Sequence, residues 1–289
     1  MPVPNESHPG ASKCNLLVDS HVHLYDRFRP TVFLDGAYEN FVRAAAALGA
    51  GPDRQFMLIL ARSRTEHGFA KLGDWARSGG GSPTWQAHES GESHSIRLID
   101  EGGRELVLAA GVQVVTTERL EVLGLGTDGA VPDGLSIDDT LQEIRRLGAL
   151  PVLPWGFGKW LGQRGRIVDR LVRQSTSSEL FLGDNGGRPG WLGTPAQFHL
   201  NPELPVLRGS DPLPLPDGET AAGSFGFSIT CPWNPHFPVA SLLDALRDGR
   251  SPVISYGKLE AAWPFLRNQI AILLRNRLSR NQQPVFHAR

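Results

Sequence analysis

Apolar residues in this chain recur in short blocks cut by glycine and proline, and blocks of two kinds take turns. Uninterrupted runs at 16–24, 55–61, 150–153, 179–183 and 205–209 are too short for buried helices and predict strands covered on both faces. Between them lie segments of helical period. The Ala-rich stretch 37–48 stops at Gly49, where a glycine can take the left-handed C-cap conformation. Ser136-Ile137-Asp138-Asp139 has capping-box spacing and opens an amphipathic helix through Arg146, closed by Gly148; 165–174 is the next. The segments 95–100 and 105–115 flank Glu101-Gly102-Gly103-Arg104 and predict a hairpin, with 121–124 continuing the sheet. Strands alternating with helices imply a parallel sheet covered by helices. The stretch 73–91, with Gly79-Gly80-Gly81-Ser82-Pro83, shows no period and predicts a mobile loop that could act as a lid. The C-terminal third departs from the rhythm: a strand at 224–230, a helix at 239–247, and a long helix at 258–278 kinked at Pro264.

Length and composition narrow this picture. The 289 residues, with 33 glycines and 22 prolines as punctuation, suit one large barrel better than two domains: an N-terminal arm over 1–13, disordered by its polar, Pro-rich character, then a single domain over 14–289 whose extension begins near 216. Twenty-nine basic against 30 acidic residues leave a net charge of −1, so neither a nucleic-acid footprint nor a membrane-binding face is expected, and the partner expected is a small anionic substrate. No apolar run is long enough to span a bilayer. Cys14 and Cys231, far apart and without ligand spacing, predict no disulfide framework, which suits a reducing cytoplasm. The terminal helix is a candidate contact for a homo-oligomer.

The chemistry starts at Asp19-Ser20-His21-Val22-His23. Residues two apart on a strand face the same way, so both imidazoles would enter one cavity, and a stiff strand would fix two coordination positions for a transition metal. Asp19 beside them could steady a ligand imidazole. In closed parallel barrels reactive groups sit where strands end, which draws in Glu66-His67, Gln113, Glu121, Trp155, Asp184-Asn185 and Asp211. The last follows a strand in a Gly-Ser-Asp turn that presents its carboxylate to a cavity. Two glycine-rich turns carry positive charge: Lys159, Arg164 and Arg166 follow Trp155, and Arg188 follows Asn185, an arrangement suited to phosphate.

The order of these motifs resembles the polymerase and histidinol phosphatase (PHP) family of metal-dependent phosphoesterases. Asp19-Ser20-His21-Val22-His23 resembles its first motif and Thr65-Glu66-His67 its Thr-Asp-His. Ala110-Gly111-Val112-Gln113 resembles its Gly-Val-Glu, Leu120-Glu121-Val122-Leu123-Gly124 its His-Val-Leu-Gly, and Arg208-Gly209-Ser210-Asp211 its terminal Gly-Ser-Asp. The resemblance covers about 14–215 and implies a distorted TIM-like (β/α)7 barrel with a C-terminal helical extension. The chain departs from the family at ligands: Gln113 stands for a bridging Glu, Glu121 for His, Pro154-Trp155 for His-Pro, and Leu213 for the last His.

The resemblance therefore implies a reduced site of one or two divalent ions (zinc, manganese or iron), with His21, His23, His67, Glu121 and Asp211 as ligands. Catalytic roles would fall to His67, Glu121 and Asp184, and substrate phosphate to Lys159, Arg164, Arg166 and Arg188. The function implied is metal-dependent hydrolysis of a small phosphoester by metal-activated water. Two alternatives stand beside it. One is a degenerate barrel with a binding or scaffold role. The other is an amidohydrolase-type hydrolase, which also carries His-x-His on its first strand; no histidine lies between Ser95 and Gln197, where its later ligands belong.

Overall fold

A computed structural model describes residues 13–79 and 85–261, with 263, 266 and 267. Eleven strands form one sheet: β1 (Lys13–Val22), β2 (Arg54–Arg62), β3 (Gln86–Glu89), β4 (Ser95–Ile99), β5 (Glu105–Val115), β6 (Glu121–Leu125), β7 (Leu150–Pro154), β8 (Phe181–Asn185), β9 (Val206–Gly209), β10 (Gly226–Pro232) and β11 (Ile254–Tyr256). The helices are α1 (Pro30–Leu48), α2 (Gly68–Arg77), α3 (Ile137–Arg146), α4 (Gly162–Gln174) and α5 (Pro238–Asp248). The order β11-β10-β1-β2-β5-β6-β7-β8-β9 curls into a nearly closed barrel. Its ends meet where the Asp211 N–H donates to the His21 carbonyl at 2.8 Å and the Ser20 hydroxyl to the Arg208 carbonyl at 2.9 Å. The fold is a distorted α/β barrel, the architecture expected from the sequence.

Three apolar clusters hold it. Alternate strand residues, among them Leu16, Val18, Met57, Ala109, Leu123 and Phe181, fill the barrel interior, and α5 lays Val239, Leu242 and Leu246 against them. The opposite face of β1, β2 and β5 packs on α1 through Phe33, Leu34 and Phe41. That of β6, β7 and β8 packs on α3 and α4. The helix stops expected from the sequence are present: Gly49 caps α1 with φ 66°, and the Ser136 side chain accepts from the Asp139 N–H at the start of α3.

Several expectations are corrected. The sheet is mixed, because β6 runs antiparallel to β5 and β7, and β10 to β1. This reverses the ends of β6, so its first residue lies level with the last residues of its neighbours. The 73–91 stretch is not a lid loop: α2 ends within it and β3 follows, with 80–84 outside the described residues. Its helical period was masked by Gly68 and Gly73; a methyl at Gly73 would come within 2.6 Å of Ile96, so the glycine is what lets α2 lie close to the sheet. α1 begins earlier than expected, at Pro30, whose missing N–H costs nothing in the first turn. Residues 258–261 are not helical; Glu260 bridges Pro189, while 263, 266 and 267 are helical. The rest of the expected terminal helix, and the subunit contact assigned to it, lie outside the described residues. So does the expected N-terminal arm, except Lys13, which opens β1. Among the described residues no helix is long and apolar enough to cross a membrane.

Candidate metal centre

The parity of β1 decides where its histidines point. Leu16 and Val18 face the interior and Leu17 the helix side. Strict alternation would turn His21 and His23 outward. Pairing with β2 slips between Asp19 and Val22, which pair with Leu58 and Leu60, so one extra residue is accommodated in β1. After this bulge Val22 and Leu24 lie in the outer cluster, and both imidazoles turn into the barrel mouth.

There they converge. His21 Nε2 and His23 Nε2 are 3.1 Å apart, and Gln113 Oε1 lies 2.9 Å from each. Asp211 Oδ1 stands 3.7 Å from both nitrogens, and its other oxygen accepts from the Asn185 amide at 3.2 Å. Both histidines are buried. Burial holds the His23 imidazole below its ordinary range, reinforced by the His21 ring beside it, which keeps its lone pair available. The Nε2 atoms of two rings and an amide oxygen converge on one point, where each could turn a lone pair to a bound cation. Imidazole nitrogens bound tetrahedrally to zinc at about 2.0–2.1 Å lie about 3.3 Å apart, close to the spacing here. The His/His/Asp group could therefore hold a divalent metal, with the Gln113 oxygen as a neutral fourth donor. One feature departs from the usual pattern: His23 Nδ1 is buried without a hydrogen-bond partner among the described residues, so no acceptor there orients that ring.

Asp19 acts on the backbone instead of on an imidazole. Its carboxylate accepts from the Ser210 N–H at 2.8 Å, the Gly223 N–H at 2.7 Å and the His21 N–H at 3.3 Å. It thereby fixes the turn that carries Asp211, whose φ of 46° is unusual for a non-glycine residue. Gly209 allows this closure, since a methyl there would come within 2.5 Å of the His21 β-carbon.

Other expected residues fall elsewhere. His67, at the N-terminus of α2, lines a cavity of about 330 Å³ with Arg62, Asp74 and Arg77 and is not one of the groups that converge with His21, His23 and Asp211. Its neighbour Glu66 acts on His23 by its charge, more weakly than His21 and Asp211 do. Glu121 shares a face of β6 with Leu123, the partner of Gln113, and so stands at the mouth above the cluster, where it is ion-paired to Lys159. Asp184 does not enter the cavity. On β8, Phe181 faces the interior and Leu182 faces out, so Asp184 faces out and Asn185 in. Asp184 is instead locked to Arg188 through two bonds of 2.6 and 2.9 Å, both side chains buried, and the third Arg188 nitrogen donates to the Gly193 carbonyl. Each Arg188 nitrogen is thus engaged within the protein, and its buried guanidinium is held against Asp184. Arg164 braces its own loop by donating to the Gly158 carbonyl, and Arg166 is exposed on α4. Trp160 is core, packed edge-on against Phe198, whereas Trp155 offers its backbone carbonyl to Asn185. Counting strand parity from Phe181 is the signal that would have selected Asn185 over Asp184.

No protein-family model matches the chain, and no curated protein matches it in sequence. Among solved structures, PsfC from Pseudomonas syringae PB-5123 is similar with a TM-score of 0.50 and 13% identity, over 92% of this chain and 99% of that one. The lesion-specific endonuclease PfuEndoQ from Pyrococcus furiosus gives 0.49 and 10% identity, over 84% of this chain and 59% of its own. Endonuclease Q in complex with a 27-mer duplex substrate bearing an abasic lesion at the active site gives 0.49 and 10%, over 86% and 60%. These matches correct the exclusion of nucleic acid: proteins of similar structure include an endonuclease and its duplex complex, so a near-neutral charge does not rule that partner out. At 13% identity the likeness to PsfC speaks for the fold alone.

Proposed function

We propose that this chain is a metal-dependent hydrolase of phosphoesters that works with a single divalent ion of the zinc, manganese or iron type, held by His21, His23 and Asp211 with Gln113 as a neutral donor. The observation that carries this reading is the convergence of two imidazole nitrogens, 3.1 Å apart, on the same point as the Gln113 oxygen and the Asp211 carboxylate. Two neutral rings, one amide and one carboxylate sum to a single negative charge, which suits one divalent cation and lacks the bridging carboxylate a second would need. When bound, such an ion lowers the pKa of a coordinated water and neutralises charge on a phosphoryl oxygen. The chain's own residues supply the rest. Asn185 restrains Asp211, Asp19 fixes the turn beneath it, and Lys159 at the mouth can exchange Glu121 for an incoming phosphoryl group. Phosphoester as the substrate class rests on the order of motifs in the sequence.

The test is metal content by elemental analysis after reconstitution with zinc, manganese or iron, followed by hydrolysis of chromogenic phosphomonoesters, phosphodiesters and oligonucleotides. One equivalent of metal is expected. His21→Ala with His23→Ala should abolish it and lower turnover on the order of a hundredfold or more. A folded wild-type chain that binds no metal under any of these conditions overturns the proposal. Metal binding without turnover on any substrate supports a binding role instead, the reading that the Gln113 amide itself favours.

A further inference from the structure

The two cysteines, 217 positions apart in sequence, lie directly opposite one another: Cys14 of β1 pairs with Cys231 of β10 in an antiparallel ladder. Both are free thiols and both are buried. Directly opposed residues of antiparallel strands have α-carbons about 4.5–5.5 Å apart, within the span of about 4.4–6.8 Å that a disulfide requires. The pair sits one step from the start of the ladder, where Lys13 and Pro232 are exposed, so a small reagent needs only that terminal pair to part. On the interior side Trp233 and α5 close off the barrel floor. The thiols interact, Cys231 acting as hydrogen-bond partner to Cys14; this lowers the Cys14 thiol and, with burial, raises that of Cys231. Cys14 is therefore the one disposed to react first.

We propose that Cys14 and Cys231 form a reversible redox site, a cross-strand dithiol that a low-molecular-weight disulfide oxidises to an intramolecular bond clamping β1 to β10 at the end of the barrel opposite the metal centre. The Cys14 thiolate attacks one sulfur of the small disulfide, breaking its S–S bond and releasing one small thiol. The Cys231 thiolate then attacks the Cys14 sulfur, forming the protein disulfide and releasing the second thiol. Two electrons pass from the protein to the oxidant, and the two thiol protons end on the released thiols. The bond would enclose every residue of the metal centre in one covalent loop, since His21, Gln113, Asn185 and Asp211 all lie between positions 14 and 231.

The experiment equilibrates the native full-length chain in glutathione buffers of increasing oxidation, then counts thiols in denaturant by alkylation and intact mass. Loss of both thiols together, a mass lower by two hydrogens and no glutathione adduct are expected. The oxidised chain should melt at a higher temperature than the reduced one, and a reductant should reverse the shift. In Cys231→Ser or Cys231→Ala a single glutathione should be trapped on Cys14. Two thiols that persist in the folded wild-type chain in oxidised buffer, stable glutathione adducts on the wild type, or disulfide-linked dimers in place of the internal bond would each overturn the proposal.

Discussion

Asp19 shows how a single buried side chain can serve a metal site without touching it. A carboxylate fully removed from water is expensive to keep charged, and burial pushes the Asp19 carboxyl up to about 6 despite the backbone N–H groups of Ser210, Gly223 and His21 that pull it down. The sign of the consequence differs from the usual acidic residue. Because the folded state holds this proton more tightly than the unfolded chain, the contribution of Asp19 to stability is largest below pH 4 and is lost as pH rises through about 6. By the conversion of about 1.36 kcal/mol per pKa unit, the change is on the order of 3 kcal/mol. Urea unfolding measured from pH 4 to pH 7 should show this decline in wild type and lack it in Asp19→Asn. A mutant with the wild-type pH slope would show that the charge of Asp19 is better compensated than its burial implies.

The elements turn these residues toward one point through two local irregularities. The bulge in β1 reverses its alternation, and the antiparallel β6 brings Glu121 to the mouth although it begins its strand. Neither was legible in the sequence, where a bulge leaves no glycine or proline signature between Asp19 and Val22 and strand direction is a property of the sheet. What could be read was the His-x-His pair, its partner Asp211 and the strand–helix rhythm, because each depends on neighbours a few residues apart. His67 and Asp184 were misplaced for the converse reason: proximity to a strand end does not say which face a residue takes. The closure between β1 and β9 depends on Gly209 having no side chain. Gly209→Ala should force the His21 backbone away, costing about 2 kcal/mol or more. Thermal unfolding and metal titration of this variant should both report the loss. If stability falls while metal affinity is unchanged, the β1–β9 contact does not set the positions of the ligands.

Across the whole molecule, the polar groups divide into two populations separated by the barrel wall. Inside the mouth lie His21, His23, Gln113, Asn185 and Asp211; on the outer face lies a second set, the buried Asp184 and Arg188 with the half-buried Arg208. Arg208 reaches Asp184 at 3.7 Å, stacks over Phe225 at 4.7 Å and is held below the ordinary guanidinium range by desolvation and by the Arg188 charge, against the pull of Asp184. This outer set anchors the loop after β8, whose Arg188 backbone carbonyl accepts from the Glu260 N–H and so ties the segment after β11 to the barrel. Its role is architectural, and that separates it from the anion-binding role the glycine-rich turn suggests in sequence. Arg188→Ala would leave the buried Asp184 carboxylate with only Arg208 at 3.7 Å, and removing one partner of a buried pair costs about 3–5 kcal/mol. The expected outcome is a large fall in the urea midpoint at unchanged m-value, with metal stoichiometry intact in whatever fraction remains folded. Adding Asp184→Asn should recover part of the loss, because the uncompensated charge is gone. A variant that unfolds as wild type yet loses phosphate affinity in calorimetry would return Arg188 to the substrate site and break the division between the two faces of β8.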